Sequence, residues 1–254
     1  MGLPNFLRAL WPASPPAKDE AFELTFDREQ VRVTVKRVAS SRRFTLRVRA
    51  TNRDVVLTMP KRASAKEARA FAERHAGWVL ARLARLPKTI DFAPGALVPL
   101  RGIDHRLAHV EGSRAAADVD LTSAEPRIRA GGDVAFFGRR VEDFLKREAR
   151  VDLEKSVADY CAKIGAPKAP FTLRDTSSRW GSCTATGRLN FSWRLIMAPD
   201  HVLDYLAAHE VAHLRHMNHS PAFWRLLKGM CAATDRAEAW LKANGAQLHR
   251  YGGG

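Results

Sequence analysis

The residues best placed to do chemistry are His209-Glu210-Val211-Ala212-His213. At about 100° per residue of helix, His209 and His213 differ by about 40° and stand one turn apart. Two imidazoles so placed converge on one metal ion. Glu210 lies about 100° round from His209, so it reaches a water activated by that ion without binding the ion itself. The chemistry on offer is metal-assisted hydrolysis, in which the cation lowers the pKa of a water and a carboxylate takes its proton. Val202, Leu203, Tyr205, Leu206, Ala207, Ala208, Val211 and Ala212 surround the motif, which predicts a buried helix over 200–216 with Asp200 as its N-cap. A buried Glu and two buried His need partners there, and a metal supplies one.

Zinc takes a third protein ligand and keeps one position open. His216 stands seven residues beyond His209, ~10 Å along a continuous helix, too far for one ion with bonds of ~2 Å. His219 lies past the expected helix end. Asn218 can take the left-handed conformation that turns the chain back, and Ser220-Pro221 reads as N-cap and first residue of the next helix. Glu238, on a later helix, is the other candidate. His219 is favoured, with His216 near the site or exposed. The spacing from His209 to His219 is that of metzincins, but His216 stands where they have Gly, and no clear Met-turn follows.

A wider set of residues carries a better resemblance. Arg179-Trp180-Gly181-Ser182-Cys183, then Gly187-Arg188-Leu189-Asn190-Phe191-Ser192-Trp193-Arg194-Leu195-Ile196, then the His-Glu motif, then Asn218-His219-Ser220-Pro221 with Phe223-Trp224, resemble the YgjP-like metallopeptidase family, related to the SprT-like and WLM zinc peptidases. The likeness is strong over 170–225 and weaker over Arg42–Trp78. It implies a zincin-like fold, zinc on His209, His213 and His219, and Glu210 as general base.

Other residues weigh less. Leu189, Phe191, Trp193 and Leu195 alternate with Arg188, Asn190, Ser192 and Arg194, so 188–196 reads as a strand. It is the candidate to pair with an extended substrate beside the metal helix. Arg179 or Arg194 can polarise a substrate oxygen or simply be surface arginines. His105 and His109 alternate along a strand, ~13 Å apart, which argues against a shared metal. Cys183 is expected to be packed rather than reactive, Ser178 and Ser182 lack a nucleophile elbow, and Trp180, Trp193 and Trp224 read as core.

These residues need elements to hold them. Phe22, Leu24 and Phe26, then Val31, Val33 and Val35, then Phe44, Leu46 and Val48, then Val55, Leu57 and Met59 follow period two and read as four strands. Ser64-Ala65-Lys66-Glu67 is a capping box opening a helix to about Leu86. Residues 95–137 are again strand-like, with turns at Gly102, Gly112 and Gly131-Gly132. A helix follows over 141–164, then strands at 171–174 and 188–196 and helices over 200–216, 221–233 and 235–243. The class is α+β: a poorly ordered Pro-rich lead-in over 1–18, a β-rich module over 19–137 with one helix, and a mainly helical catalytic domain with a small sheet over 138–254.

The chain has 254 residues, with 46% hydrophobic and 27% charged, which excludes wholesale disorder and coiled coil. No run approaches the ~20 apolar residues of a membrane span. The start lacks a secretory h-region and a myristoylation signal. Three cysteines, Cys161, Cys183 and Cys231, are widely spaced with no C-x-x-C. Together these point to a reducing compartment, the cytoplasm. The formal charge is +15, and residues 1–100 hold 19 basic and 9 acidic side chains. Eight of the basic ones (Arg28, Arg32, Lys36, Arg37, Arg42, Arg43, Arg47 and Arg49) crowd one stretch against Glu29, either a solvated face or a site for nucleic acid or another polyanion. Three functions follow as expectations. The first is a Zn2+-dependent peptidase acting on peptide or protein substrates, the second a metal-dependent hydrolase of nucleotides or phosphoesters, the third a nucleic-acid-binding module with a structural metal.

Overall fold

The computed structural model describes residues 20–26, 29–48, 54–85, 88–176 and 179–252. The lead-in over 1–18 lies outside the described residues, as do Arg28, Arg49 and Ser178. The architecture is α+β and divides into two compact units, Met1–Leu86 and Pro87–Gly254.

In the first unit the four period-two segments form β1 (Glu20–Phe26), β2 (Glu29–Val38), β3 (Thr45–Val48) and β4 (Val55–Pro60). Their order across the sheet is β1-β2-β4-β3, with β2 and β4 parallel and the outer pairs antiparallel. Alternation places Leu24, Val31, Val33, Val35, Val55, Leu57 and Met59 in one core with Ala68, Ala72, Val79 and Leu83. The capping box forms as the sequence predicts, with Ser64 and Glu67 satisfying each other's backbone N–H. The expected single helix is two: α1 (Ala65–Arg74) and α2 (Ala76–Ala84), broken where His75 leaves helical geometry.

In the second unit β5 (Leu97–Leu100), β6 (Ile103–Val110), β7 (Asp118–Asp120) and β8 (Arg127–Gly131) make a sheet of order β5-β6-β8-β7. The long helix α3 (Phe137–Lys163) packs a stripe of Val141, Phe144, Leu145, Ala149, Leu153 and Val157 inward. A small sheet of β9 (Phe171–Arg174), β10 (Gly181–Cys183) and β11 (Leu189–Ser192) has the order β10-β11-β9. Helices α4 (Asp200–Ala212), α5 (Pro221–Met230) and α6 (Thr234–Leu248) complete the unit. Val98, Leu107 and Ile128 of the larger sheet share one core with α3 and α4. The β-rich residues 95–137 therefore pack with the helices that follow them, and compactness divides the chain at 86/87. Among the described residues no helix is long and apolar enough to cross a membrane.

The strand expected over 188–196 stops at Ser192 and tightens into a 3-10 turn, Trp193–Met197. Its last residues do not alternate in burial, since Trp193, Arg194, Leu195 and Ile196 are all buried. Arg194 tolerates this because Asp175 grips its guanidinium at 2.7 and 3.0 Å, and the Leu248 and Tyr251 carbonyls accept from it. Buried and held on both sides, Arg194 is a strut of the fold rather than a surface group.

Candidate metal centre

Helix α4 is apolar nearly all round, and it is buried for that reason. Val202, Leu203, Leu206, Ala207, Ala208, Val211 and Ala212 are enclosed in the core. On the α3 side, Ser156 and Tyr160 donate to Asp204 of α4. The helix begins one residue earlier than the sequence suggests: Pro199 is the N-cap and Asp200 the first helical residue.

Its end decides the site. The helix stops at Ala212 and His213 is the C-cap, so His216 is not helical. The His216 carbonyl lies 2.9 Å from His213 Nδ1, and the His216 N–H donates to Ala212 O. Asn218 does not take the expected left-handed conformation: Arg101 is the one non-glycine residue with positive φ among the described residues. The chain turns back because the helix ends early. Ser220 then caps α5, accepting from the Phe223 N–H, with Pro221 at the first position, as the sequence predicts.

The turn brings His219 against the helix. His219 Nε2 lies 3.1 Å from His209 Nε2, and one ligand atom from each of His209, His213 and His219 falls within 4.8 Å of the others. Phe223 stacks on the His213 ring at 4.6 Å, and Trp224 lies 5.8 Å from the His219 ring. The third and fourth residues after the cap of α5 thus wall the histidines with apolar surface.

Hydrogen bonds select which nitrogen each ring offers. The His216 carbonyl occupies His213 Nδ1. His209 Nδ1 lies 3.2 Å from the Tyr205 hydroxyl, which donates to Glu238 Oε1 at 2.9 Å. Glu238, the other candidate third ligand, therefore binds Tyr205 and stands outside the histidine cluster. With Nδ1 occupied on both rings, Nε2 remains as the ligand atom. Burial, with the neighbouring rings adding to it, pushes His209 down to about 4 and lowers His213. Both rings are neutral at pH 7, the form that binds metal.

Glu210 is 4% exposed, and its Oε2 has no hydrogen-bond partner. Burial pushes its carboxyl up to about 7, against the opposing pull of Arg179. A carboxylate this close to strand β10 needs room. A Cβ on Gly181 would come within 2.4 Å of Glu210 Oε1, so only glycine fits there. Three imidazoles beside an orphaned buried carboxylate oxygen fit a divalent cation with one position left open.

Strand β11, the expected substrate-pairing segment, lies between β10 and β9 with both its edges paired. The strand at the edge of the sheet beside Glu210 is β10. Sequence reasoning missed two residues and one strand. Tyr205 passed as apolar core, although its position four before His209 places it on the same helix face. Gly181 and β10 carried no signal beyond a small-residue loop. Elsewhere, His105 Nδ1 and His109 Nε2 each lie 2.7 Å from backbone carbonyls, of Ile103 and Gly132. Trp180 stacks on His249 with centroids 4.7 Å apart, and Trp193 is buried.

Comparison with known proteins gives the class. A family model described as YgjP-like, metallopeptidase domain, matches residues 42–244, which makes this chain a metallopeptidase. The match spans nearly all of the second compact unit and the first from residue 42 onward, and the chain belongs to the YgjP-like family. The crystal structure of the metallopeptidase zymogen of Pyrococcus abyssi abylysin is similar at 18% identity and a TM-score of 0.31, covering 35% of this chain and 95% of that one. No curated protein matches.

Proposed function

We propose that the protein is a zinc-dependent peptidase in which His209, His213 and His219 hold the ion and Glu210 is the general base. The observation that carries this reading is the convergence of the three imidazoles within 4.8 Å next to a buried carboxylate oxygen without a partner. Three imidazole nitrogen donors suit Zn2+. When bound, the ion would polarise a peptide carbonyl and acidify a water in the open position. Glu210 accepts the proton of the attacking water and passes it to the leaving amine. Burial raises its carboxyl, which strengthens it as a base toward that water. The substrate lies extended along the free edge of β10, where backbone groups of Gly181–Cys183 pair with it. All these residues fall within 138–254, the proposed catalytic domain. The free thiols Cys161, Cys183 and Cys231 support a reducing compartment, the cytoplasm.

The test compares wild type, Glu210→Ala and His219→Ala by elemental analysis and by casein hydrolysis. Glu210→Ala is expected to keep its zinc and lose activity by about 100-fold or more. His219→Ala is expected to lose the zinc. Normal cleavage by Glu210→Ala, or a wild-type protein that takes up no divalent ion, overturns the mechanism. A parallel assay with nucleoside triphosphates, with and without chelator, reassigns the substrate if only the nucleotide turns over.

A further inference from the structure

The metal centre leaves the basic first unit without a role. Residues 1–86 hold 18 basic and 8 acidic side chains. Between the edge strand β3 and helix α2 runs a groove of 430 Å³, lined by Leu46, Arg47, Val48, Trp78, Arg82 and Arg85. Trp78, Arg82 and Arg85 follow one another at i, i+4 and i+7, so they stand on one face of the helix. Helical rise sets Arg82 about 6 Å and Arg85 about 10 Å along the axis from Trp78. Arg47 is on the wall opposite. All four are exposed, and Trp78 is 52% exposed. Among the described residues none of the three arginines makes an ion pair.

We infer that this groove binds single-stranded nucleic acid, with a base stacked on Trp78 and the phosphates of the same strand on Arg82, Arg85 and Arg47. Three like charges gathered in a concavity repel one another, and a polyanion relieves that repulsion. The indole separates the polyanion classes. Base stacking on an exposed aromatic beside cationic side chains is how proteins hold single strands without reading sequence. A membrane or a protein partner needs a wider apolar surface. Among the described residues of this unit, Trp78 and Val38 are the exposed large hydrophobic side chains. The bases, not apolar side chains, therefore complete the groove. The inference stands apart from the metal centre.

The experiment measures fluorescence anisotropy of a fluorescein-labelled oligothymidylate about 20 nucleotides long, and of the matching oligouridylate, with the full chain over a range of KCl. Wild type is expected to bind both, with affinity falling steeply as salt rises. Trp78→Ala is expected to weaken binding by about 10-fold or more, and Trp78→Phe, which keeps a stacking ring, to retain most of it. Arg82→Ala with Arg85→Ala is expected to reduce the slope of log affinity against log salt by about 1.4. Arg139→Ala, an exposed arginine of the other unit, leaves affinity and slope near wild type. Far-UV circular dichroism confirms that each variant is folded. Absence of binding by wild type, or groove variants that bind like wild type, overturns the proposal. So does a result in which groove variants lose binding only to phosphatidylserine vesicles or polyglutamate. Casein hydrolysis is scored separately, so either reading can fail without the other.

Discussion

Gly181 shows how narrow the tolerance is around the Glu210 carboxylate. A methyl group there would lie within 2.8 Å of both Cγ and Cδ of Glu210 as well as 2.4 Å from Oε1. The strand or the carboxylate has to move, and a displacement of about 1 Å at a catalytic group slows reaction by roughly 100-fold. Gly181→Ala is therefore expected to lower casein hydrolysis to about that extent while elemental analysis still finds the metal, since none of the three imidazoles is disturbed. Tyr205 acts one step further out. Its hydroxyl links His209 Nδ1 to Glu238, which holds the ring so that Nε2 faces the other histidines. Tyr205→Phe keeps the ring packing and removes that link. Zinc affinity is expected to fall by about 10-fold or more, read by competition with a chromogenic chelator, and Glu238→Gln by less because an acceptor remains.

At the scale of elements, the hairpin between β5 and β6 fixes where helix α4 starts. Its two turn residues, Arg101 and Gly102, have φ of 52° and 79°, the geometry of a tight two-residue hairpin. The Arg101 N–H donates to the Ile196 carbonyl at 2.7 Å. Its guanidinium donates to Asp152 and Glu148 of α3. Those bonds, the one to Asp152 foremost, raise its already high pKa. A Cβ on Gly102 would meet the Pro199 ring at 2.9 Å, immediately before α4. Gly102→Ala combines a strained backbone with that collision and is expected to destabilise the second unit by about 1–3 kcal/mol, measured as a lower urea midpoint. The small sheet teaches a related point. Period-two patterning does not mark where β11 gives way to a 3-10 turn, because the buried Arg194 sits where a solvent-facing polar residue is expected, and its partners come from 175, 248 and 251.

Across the whole molecule, the closing of the C-terminus over the small sheet sets an acid limit. His249 is 8% exposed against Trp180, and burial, aided by Arg194, pushes it down to about 4. An unfolded histidine takes its proton near about 6.5. Between those values the unfolded chain binds the extra proton, so stability falls as pH falls. Burial alone would raise the Asp175 carboxyl, but the Arg194 guanidinium overrides it and holds it below the usual carboxylate range. That contribution is present above the ordinary carboxyl pKa and lost below it, so both groups act in the same direction. Urea midpoints are expected to drop from about pH 6.5 to about pH 4, and His249→Gln to flatten that drop relative to wild type. A variant with an unchanged profile would remove His249 from the account.

The sequence by itself determined the elements that local pattern controls. Alternating apolar residues specify the four strands of the first unit, Ser64 to Glu67 and Ser220-Pro221 specify helix starts, and His209-Glu210-x-x-His213 with the residues around it specifies the family. Each of these is written in neighbours a few positions apart, where backbone geometry and side-chain periodicity act. Tertiary structure alone decided the rest: that His219 meets His209 because α4 ends at Ala212, that Glu238 binds Tyr205, that β10 rather than β11 is the sheet edge, and that Gly181 makes room for Glu210. Those outcomes depend on which distant surfaces pack together, and a burial or a hydrogen bond between residues tens of positions apart leaves no periodic trace along the chain.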